Sequence, residues 1–385
     1  MKNLVLCKAL TFVRYFAEAL FFPFISLYLK DQGLDISHIG IIIAAIPITS
    51  MICAPIYSKI CTNPHKTKIA LMIMSFIEAF CIILFLFVNS FAYALGIIII
   101  MSIVSSSNYG MIDSLLTLIA EDHKQRYSSI RIYGSISYML GVLISGLITK
   151  AFGFVAAFSV TCAIFLGVSI LYFFIKTPNR KEETKQEGTG IHVLFSNKAF
   201  LFYLVFYVLW IGTMQVGDDF FSLYMESKGG KEYYSYVMFG FIAIEIATML
   251  LLNRFGNRFG IKIYFVALVL LVIRNLAHAI PNMPLWFIIA FQMTRGVIWA
   301  TALYLSSTLI SKILGYRLAS SGIILVLFGV QVFNSIFKFC GGYIIEAIGY
   351  SSFYFILFCI SLIAFFYFIF YYKAYRGLIL NQEKQ

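Results

Sequence analysis

The sequence predicts an all-α polytopic membrane protein with twelve transmembrane helices in two groups of six, and three observations predict it. Of its 385 residues, 61% are hydrophobic and 12% charged, with a mean hydropathy of +0.90; soluble domains do not have this composition. Apolar runs of about 20 residues, long enough to cross roughly 30 Å of hydrocarbon, recur along the chain. The longest polar stretch, Lys176 to Lys198, falls midway between them.

Numbered as spans 1 to 6, the runs before that stretch cover residues 4–29, 39–61, 68–88, 94–119, 130–149 and 153–175. Spans 7 to 12 cover 199–225, 235–255, 261–280, 284–308, 317–343 and 350–372. A lipid-facing backbone must satisfy its own hydrogen bonds, so such runs form helices; a barrel would show alternation over about ten residues instead. The expected organisation is a helical bundle over 1–175, a cytoplasmic linker over 176–198 and a second bundle over 199–385. Span 1 is too long for a signal-peptide core and has no small-residue cleavage site, so it is expected to stay in the protein.

Basic residues set the orientation. The loops after odd-numbered spans carry only Lys30, Lys150, Lys228 and Lys231, while the termini and the alternate loops hold most of the others. The positive-inside rule then places both termini in the cytoplasm, in a multi-pass protein of the cell membrane. The net charge of +12 reads as topology and as contact with anionic headgroups, and nucleic acid is not an expected partner.

Other function classes find little support. Cys7, Cys53, Cys61, Cys81, Cys162, Cys340 and Cys359 are scattered through apolar runs without metal or redox spacing, so they read as small apolar residues and neither a metal nor a cofactor is expected. The segment "GGKE", Gly229 to Glu232, lacks the first glycine and the hydroxyl of a phosphate-binding loop, which argues against direct use of ATP. No interfacial His/Asp or paired-acid cluster suggests an embedded enzyme.

The halves share a pattern. Span 5 has Gly134 and Gly141 seven apart, with Gly146 and Gly153 around the next turn; span 11 has Gly322 and Gly329 seven apart, with Gly342 and Gly349 around its turn. Seven residues is about two helical turns, so each pair shares a face where another helix approaches closely.

Charged residues inside spans are expensive unless paired or wet, and they mark function. The acids are Glu18, Glu78, Asp113, Asp218, Asp219 and Glu245; the bases are Arg14, Arg131, Arg274, Arg295 and Lys338. Arg14 and Glu18, four apart, are placed to pair with each other. Lys338, near the end of its span, is expected to snorkel. Glu78 has no evident partner, and protonation is one way to tolerate it there. Asp113 and Arg131 lie nine residues either side of Asp122, so a hairpin turning there brings them to similar depth. The pair reads either as a binding site for a solute or as a structural ion pair between spans 4 and 5.

Twelve spans as six plus six, with a polar central linker and no ATPase motif, resemble the major facilitator superfamily. "LFFPFISLYLKDQGLDISHIGIIIAA", Leu20 to Ala45, resembles the first hairpin of the lactose permease group and its nucleoside and phenylpropionate relatives, and "SIRIYGSISY", Ser129 to Tyr138, resembles their fifth helix. The resemblance implies that Asp113 and Arg131 bind substrate hydroxyls, that Tyr138 stacks on the substrate ring, and that Arg274, Glu245 and Asp218 match residues of the proton network. A buried salt-bridge network among spans 7 to 9 is the structural alternative.

The pattern is not followed throughout. Sugar permeases of the group carry glutamate and tryptophan where Asp113 and Tyr138 stand. In span 10, "FQMTRGVIW", Arg295 replaces a histidine and Ile298 the proton-carrying carboxylate. The loop after span 2 shows Thr62 and His65 where the superfamily carries Asp and Gly, while "NRFGIK", Asn257 to Lys262, keeps more of that pattern in the second half.

The function this implies is secondary active transport of a small organic solute, foremost a sugar or oligosaccharide, by proton symport with alternating access. Nucleosides and aromatic carboxylates are the alternative substrates, and a flippase of a lipid-linked sugar is the alternative class. The expected substrate residues are Asp113, Arg131, Tyr138, Glu245 and Asp218. Proton coupling is expected at Glu245 with Arg274 or Arg295, then at Asp218 and Glu18. The implied partners are solute, protons and lipid, and the protein is expected to act as a monomer.

Overall fold

The computed structural model describes residues 2–61, 63–178, 191–259 and 262–380. Thr62, most of the linker and part of the "NRFGIK" stretch lie outside the described residues. Every expected apolar run carries helix, and among the described residues nine stretches are long and apolar enough to cross a membrane.

The first half contains α1 (Lys2–Phe21), continued through a short 3-10 turn into α2 (Ile25–Asp31). It goes on through α3 (Ile36–Ile60), α4 (Pro64–Phe85), α5 (Phe91–Ser105), α6 (Asn108–Asp122) and α7 (Ser128–Phe174). Local chemistry sets the starts: Asn63 caps α4 by accepting from the Lys66 amide at 2.9 Å, with Pro64 as first helical residue, and Ser90 caps α5 through the Tyr93 amide. The second half contains α8 (Ile191–Ser196), α9 (Lys198–Tyr207), a π turn over Val208–Gly212, α10 (Thr213–Ser227), α11 (Tyr234–Phe259), α12 (Lys262–Ala279), α13 (Leu285–Leu314) and α14 (Tyr316–Leu380).

Two of these helices are pairs joined at one glycine. Gly153 interrupts α7 at φ 80° and Gly349 interrupts α14 at φ 83°. Positive φ is strained for a side-chain-bearing residue and free for glycine, so the same residue makes the turn between spans 5 and 6 and between spans 11 and 12.

The chain forms two compact units: Met1–Thr184 with Gly229–Phe239, and Lys185–Lys228 with Gly240–Gln385. In the first unit α1 packs along α7. A Cβ on Gly134 would lie 2.8 Å from the Tyr15 ring, and one on Gly141 would lie 2.8 Å from Ala19 Cβ and 2.9 Å from the Phe16 carbonyl. In the second unit a Cβ on Gly322 would lie 2.4 Å from Leu314 and 2.9 Å from Ile310, both of α13, and 3.3 Å from Phe200 of α9, and one on Gly329 would lie 2.8 Å from Val208 of the π turn. Gly134 and Gly141 thus seat span 5 on span 1, and Gly329 seats span 11 on span 7, while Gly322 meets α13 most closely.

Each unit has its own apolar core. Leu10, Met74, Leu115 and Tyr172 belong to that of the first unit, and Phe206, Trp210, Tyr264 and Phe368 to that of the second. Many Ile and Phe side chains point outward instead, Phe80, Phe173 and Phe370 among them, as lipid-facing helices require.

Candidate functional site

Within the first unit, two charged clusters sit side by side and differ in access. Asp113 on α6 and Arg131 on α7 approach with Oδ1 4.0 Å from Nε, and their side chains are 43% and 36% exposed. That separation is beyond hydrogen-bond range, which leaves both groups with bonding capacity. Tyr127 donates its hydroxyl to Asp113 Oδ1. Burial first, and that hydrogen bond second, hold the Tyr127 phenol well above its ordinary range, so it stays a donor. The Arg131 guanidinium lies 4.4 Å from the centre of the Tyr15 ring, a stacking contact that orients its planar fork. Tyr138, seven residues beyond Arg131 on the same helix face, is partly exposed.

The second cluster is dry. Arg14 Nη2 donates to Glu78 Oε1 at 3.0 Å and Nη1 donates to Glu78 Oε2. Arg14 Nε donates to Glu18 Oε1 at 2.9 Å. Asn108 Nδ2 adds a bond to Glu78 Oε1 at 2.7 Å, and Tyr109 donates to Glu18 Oε2 at 2.8 Å. Arg14, Glu18 and Glu78 are 2%, 2% and 0% exposed. The Tyr15 and Tyr109 rings, 5.8 Å apart, join this cluster to the Arg131 stack.

In the second unit one carboxylate gathers donors from two helices. Asp218 on α10 accepts from Arg274 Nη1 on α12 at 2.9 Å, and from Arg295 Nε and Gln292 Nε2 on α13 at 3.1 Å each. Arg295 also donates through Nη1 to Glu245 on α11 at 2.9 Å, bridging the two acids, and its guanidinium lies 4.4 Å from the Phe241 ring centre. Arg274 is buried at 1%, while Asp218, Glu245 and Arg295 are each about one-fifth exposed. The tight approach of α11 and α13 sets this bridge: a Cβ on Gly296 would lie 2.3 Å from the Phe241 carbonyl and 2.8 Å from the Glu245 amide nitrogen.

The comparisons with known proteins bear on this architecture. The profile of the MFS_1-like family matches residues 4–357. The chain belongs to that family of major facilitator transporters. This MFS_1-like protein is a multi-pass membrane transporter. It is 24% identical over 293 residues to a maltose permease of Geobacillus stearothermophilus, covering 74% of this chain and 73% of the permease. It is 24% identical over 353 residues to the uncharacterized transporter YwbF of Bacillus subtilis (strain 168), covering 89% and 87%. Its fold resembles the crystal structure of the nucleoside transporter NupG, with a TM-score of 0.83 at 15% identity over 97% of this chain and all of that one.

Against the sequence expectations, the transporter brings Asp113 next to Arg131, and Asp218 together with Arg274, Arg295 and Glu245. Glu245 takes Arg295 as its arginine. Glu18 stands in the dry cluster, away from the Asp113 pair. Two expectations are corrected. Glu78 is not partnerless: Arg14, 64 residues away in sequence, forks onto it. Lys338 does not snorkel; its Nζ lies 2.7 Å from Asp219 Oδ2 with the lysine side chain 11% exposed. Sequence reasoning missed Tyr15, Tyr127, Asn108, Tyr109 and Gln292. Gln292 carried a signal, since it precedes Arg295 by one helical turn and shares its face. The others depend on which helices pack together.

A cavity of about 450 Å³ in the first unit lies elsewhere, among Phe24, Tyr28, Asp31, Thr149, Lys150 and Glu232. Its rim charges pair with one another, Lys150 with Glu232 at 2.6 Å and Lys231 with Asp31, so none of the proposed site residues reaches it.

Proposed function

We propose that this transporter moves a small polyhydroxylated solute, foremost a sugar or oligosaccharide, by proton symport with alternating access. The observation that carries the reading is the contrast between the two ion pairs of the first unit. Arg14 and Glu78 saturate each other out of reach of any solute, whereas Asp113 and Arg131 stand 4.0 Å apart and more than one-third exposed. A hydroxyl can donate to Asp113 and accept from Arg131, and Tyr138 offers a ring for stacking. Asp218 and Glu245 are the polar contacts proposed in the second unit. Glu245, Arg274, Arg295, Asp218 and Glu18 make up the proposed proton-handling set. The relationship to a maltose permease supports the sugar reading. A nucleoside is the second reading, favoured by Asp113 and Tyr138 standing where the resembled sugar permeases carry glutamate and tryptophan. The protein is proposed to act as a monomer in the cell membrane with both termini cytoplasmic.

The test is uptake of labelled maltose and uridine into proteoliposomes with an imposed acid-outside pH gradient. Maltose is expected to accumulate and to leave when a protonophore collapses the gradient. Asp113→Asn or Arg131→Gln, each removing a bond to a charged group, is expected to weaken apparent affinity by about 1.5–3 kcal/mol, roughly ten- to a hundredfold. Uptake of uridine alone would establish the nucleoside reading; uptake indifferent to the gradient would refute symport; uptake of neither would refute the substrate class.

A further inference from the structure

We infer that the Arg14–Glu18–Glu78 cluster of the first unit is a proton-binding site that holds one proton at neutral pH, carried on Glu18. The ion pairs of the two units differ in their balance of charge. In the second unit Asp218, Asp219 and Glu245 face Arg274, Arg295 and Lys338, and the formal charges cancel. In the first unit Glu18 and Glu78 pair with the same Arg14, and Asp113 lies beside Arg131. These ion pairs set three acids against two arginines. Asp113 has Arg131 beside it and access to solvent, so the surplus falls on the pair that shares Arg14, in a cluster no more than 2% exposed. An uncompensated charge buried this deeply is removed by taking up a proton, since protonation costs less than desolvating the ion.

Hydrogen bonding decides which acid of the pair carries it. Glu78 accepts three N–H donors, two from Arg14 and one from Asn108, and each of its oxygens is held by the Arg14 guanidinium, which can only donate. Glu18 accepts one N–H, from Arg14 Nε, and its other oxygen faces the Tyr109 hydroxyl. A hydroxyl can accept as well as donate, so a proton on Glu18 Oε2 needs only the reversal of that bond. The proton comes from water and returns to it, and Tyr109, whose hydroxyl meets Glu18, is itself 51% exposed.

The groups around Glu18 come from four helices. They are Arg14 and Tyr15 on α1, Glu78 on α4, Tyr109 on α6 and Tyr172 on α7, with Asp113, Arg131 and Tyr138 further out, beyond Tyr15 and Tyr109. Of these, only Arg14 and Arg131 are cationic, and Arg131 is committed to the Asp113 side and the Tyr15 ring. That this proton is the one moved with the solute rests on the symport reading; that the cluster binds it does not.

Infrared difference spectra of the reconstituted protein, recorded between neutral and alkaline buffer, test the site without a solute. A carboxylic-acid C=O band is expected at neutral pH, shifted by ¹³C-glutamate labelling and unaffected by ¹³C-aspartate. Glu18→Gln should abolish it, and Glu78→Gln should abolish it as well by leaving Glu18 alone with Arg14; Glu245→Gln should retain it. Absence of the band in the parent, a shift on aspartate labelling, or survival in Glu18→Gln would overturn the inference, and the labelling arm needs no variant to fold. If the band behaves as expected while uptake ignores the pH gradient, the site stands and symport fails.

Discussion

Replacing Arg14 by alanine is expected to destabilise the protein by about 3–5 kcal/mol, the range for breaking a buried ion pair by removing one partner. Glu78 loses its forked partner and Glu18 its only arginine, and neither acid can turn to water. Lysine is a poor substitute, because a point charge cannot make the two parallel bonds of the guanidinium. The double change Arg14→Met with Glu78→Gln should recover much of the loss, since both charges of the forked pair are gone and the inferred proton keeps Glu18 neutral. Cys7 on α1 and Cys81 on α4 are buried and free, so in a background with the other five cysteines replaced the reaction of a thiol dye on heating reports the opening of this region. A midpoint for Arg14→Ala equal to that of the parent would show that the cluster does not hold α1, α4 and α6 together.

Removing Asp218 should have an effect of similar kind in the second unit. Asp218→Ala strips three donors of their acceptor. Arg295 keeps Glu245, but Arg274, at 1% exposure, loses its carboxylate and retains only weaker contacts with the Met214 carbonyl at 3.3 Å and the Asn275 side chain at 3.5 Å. A loss of about 3 kcal/mol follows, toward the low end because Asp218 itself is partly exposed. Asp218→Asn, which keeps an acceptor oxygen but not the charge, should fall between. Glu245→Gln should cost less than Asp218→Ala, since its arginine keeps Asp218 as a partner. Equal unfolding midpoints for Asp218→Ala and Glu245→Gln would contradict this ranking.

Much of this architecture was legible in the residue order because bilayer thickness fixes helix length and closely packed helices require small residues. The spacing of Gly134 and Gly141 marked a face for close approach, and that face meets α1; Gly329 meets the π turn in the same way, while Gly322 lies closest to α13. The approach of Asp113 and Arg131 was legible for a local reason: a short hairpin fixes their relative depth whatever the rest of the chain does. Pairings set by non-consecutive helices were not legible. Arg14 finds Glu78 only because α1 and α4 share a unit, and Lys338 finds Asp219 across 119 residues of sequence. In each case a charge with no visible partner drew a solitary explanation, protonation for Glu78 and snorkelling for Lys338, where a distant helix supplied the counter-ion. The arginine in place of histidine in span 10 gains a physical reason: Arg295 links two acids that Arg274 alone would leave incompletely paired.

The central claim, that Asp113 and Arg131 form a solute site and not a structural pair, is tested most directly by thermal unfolding of the purified protein with a panel of sugars, nucleosides and aromatic acids, run beside Asp113→Asn. A ligand that binds only the folded state raises its midpoint in proportion to occupancy. The account predicts that at least one sugar or nucleoside raises the midpoint of the parent and leaves that of Asp113→Asn unmoved. Equal shifts in both proteins, or no shift with any member of the panel, would contradict it.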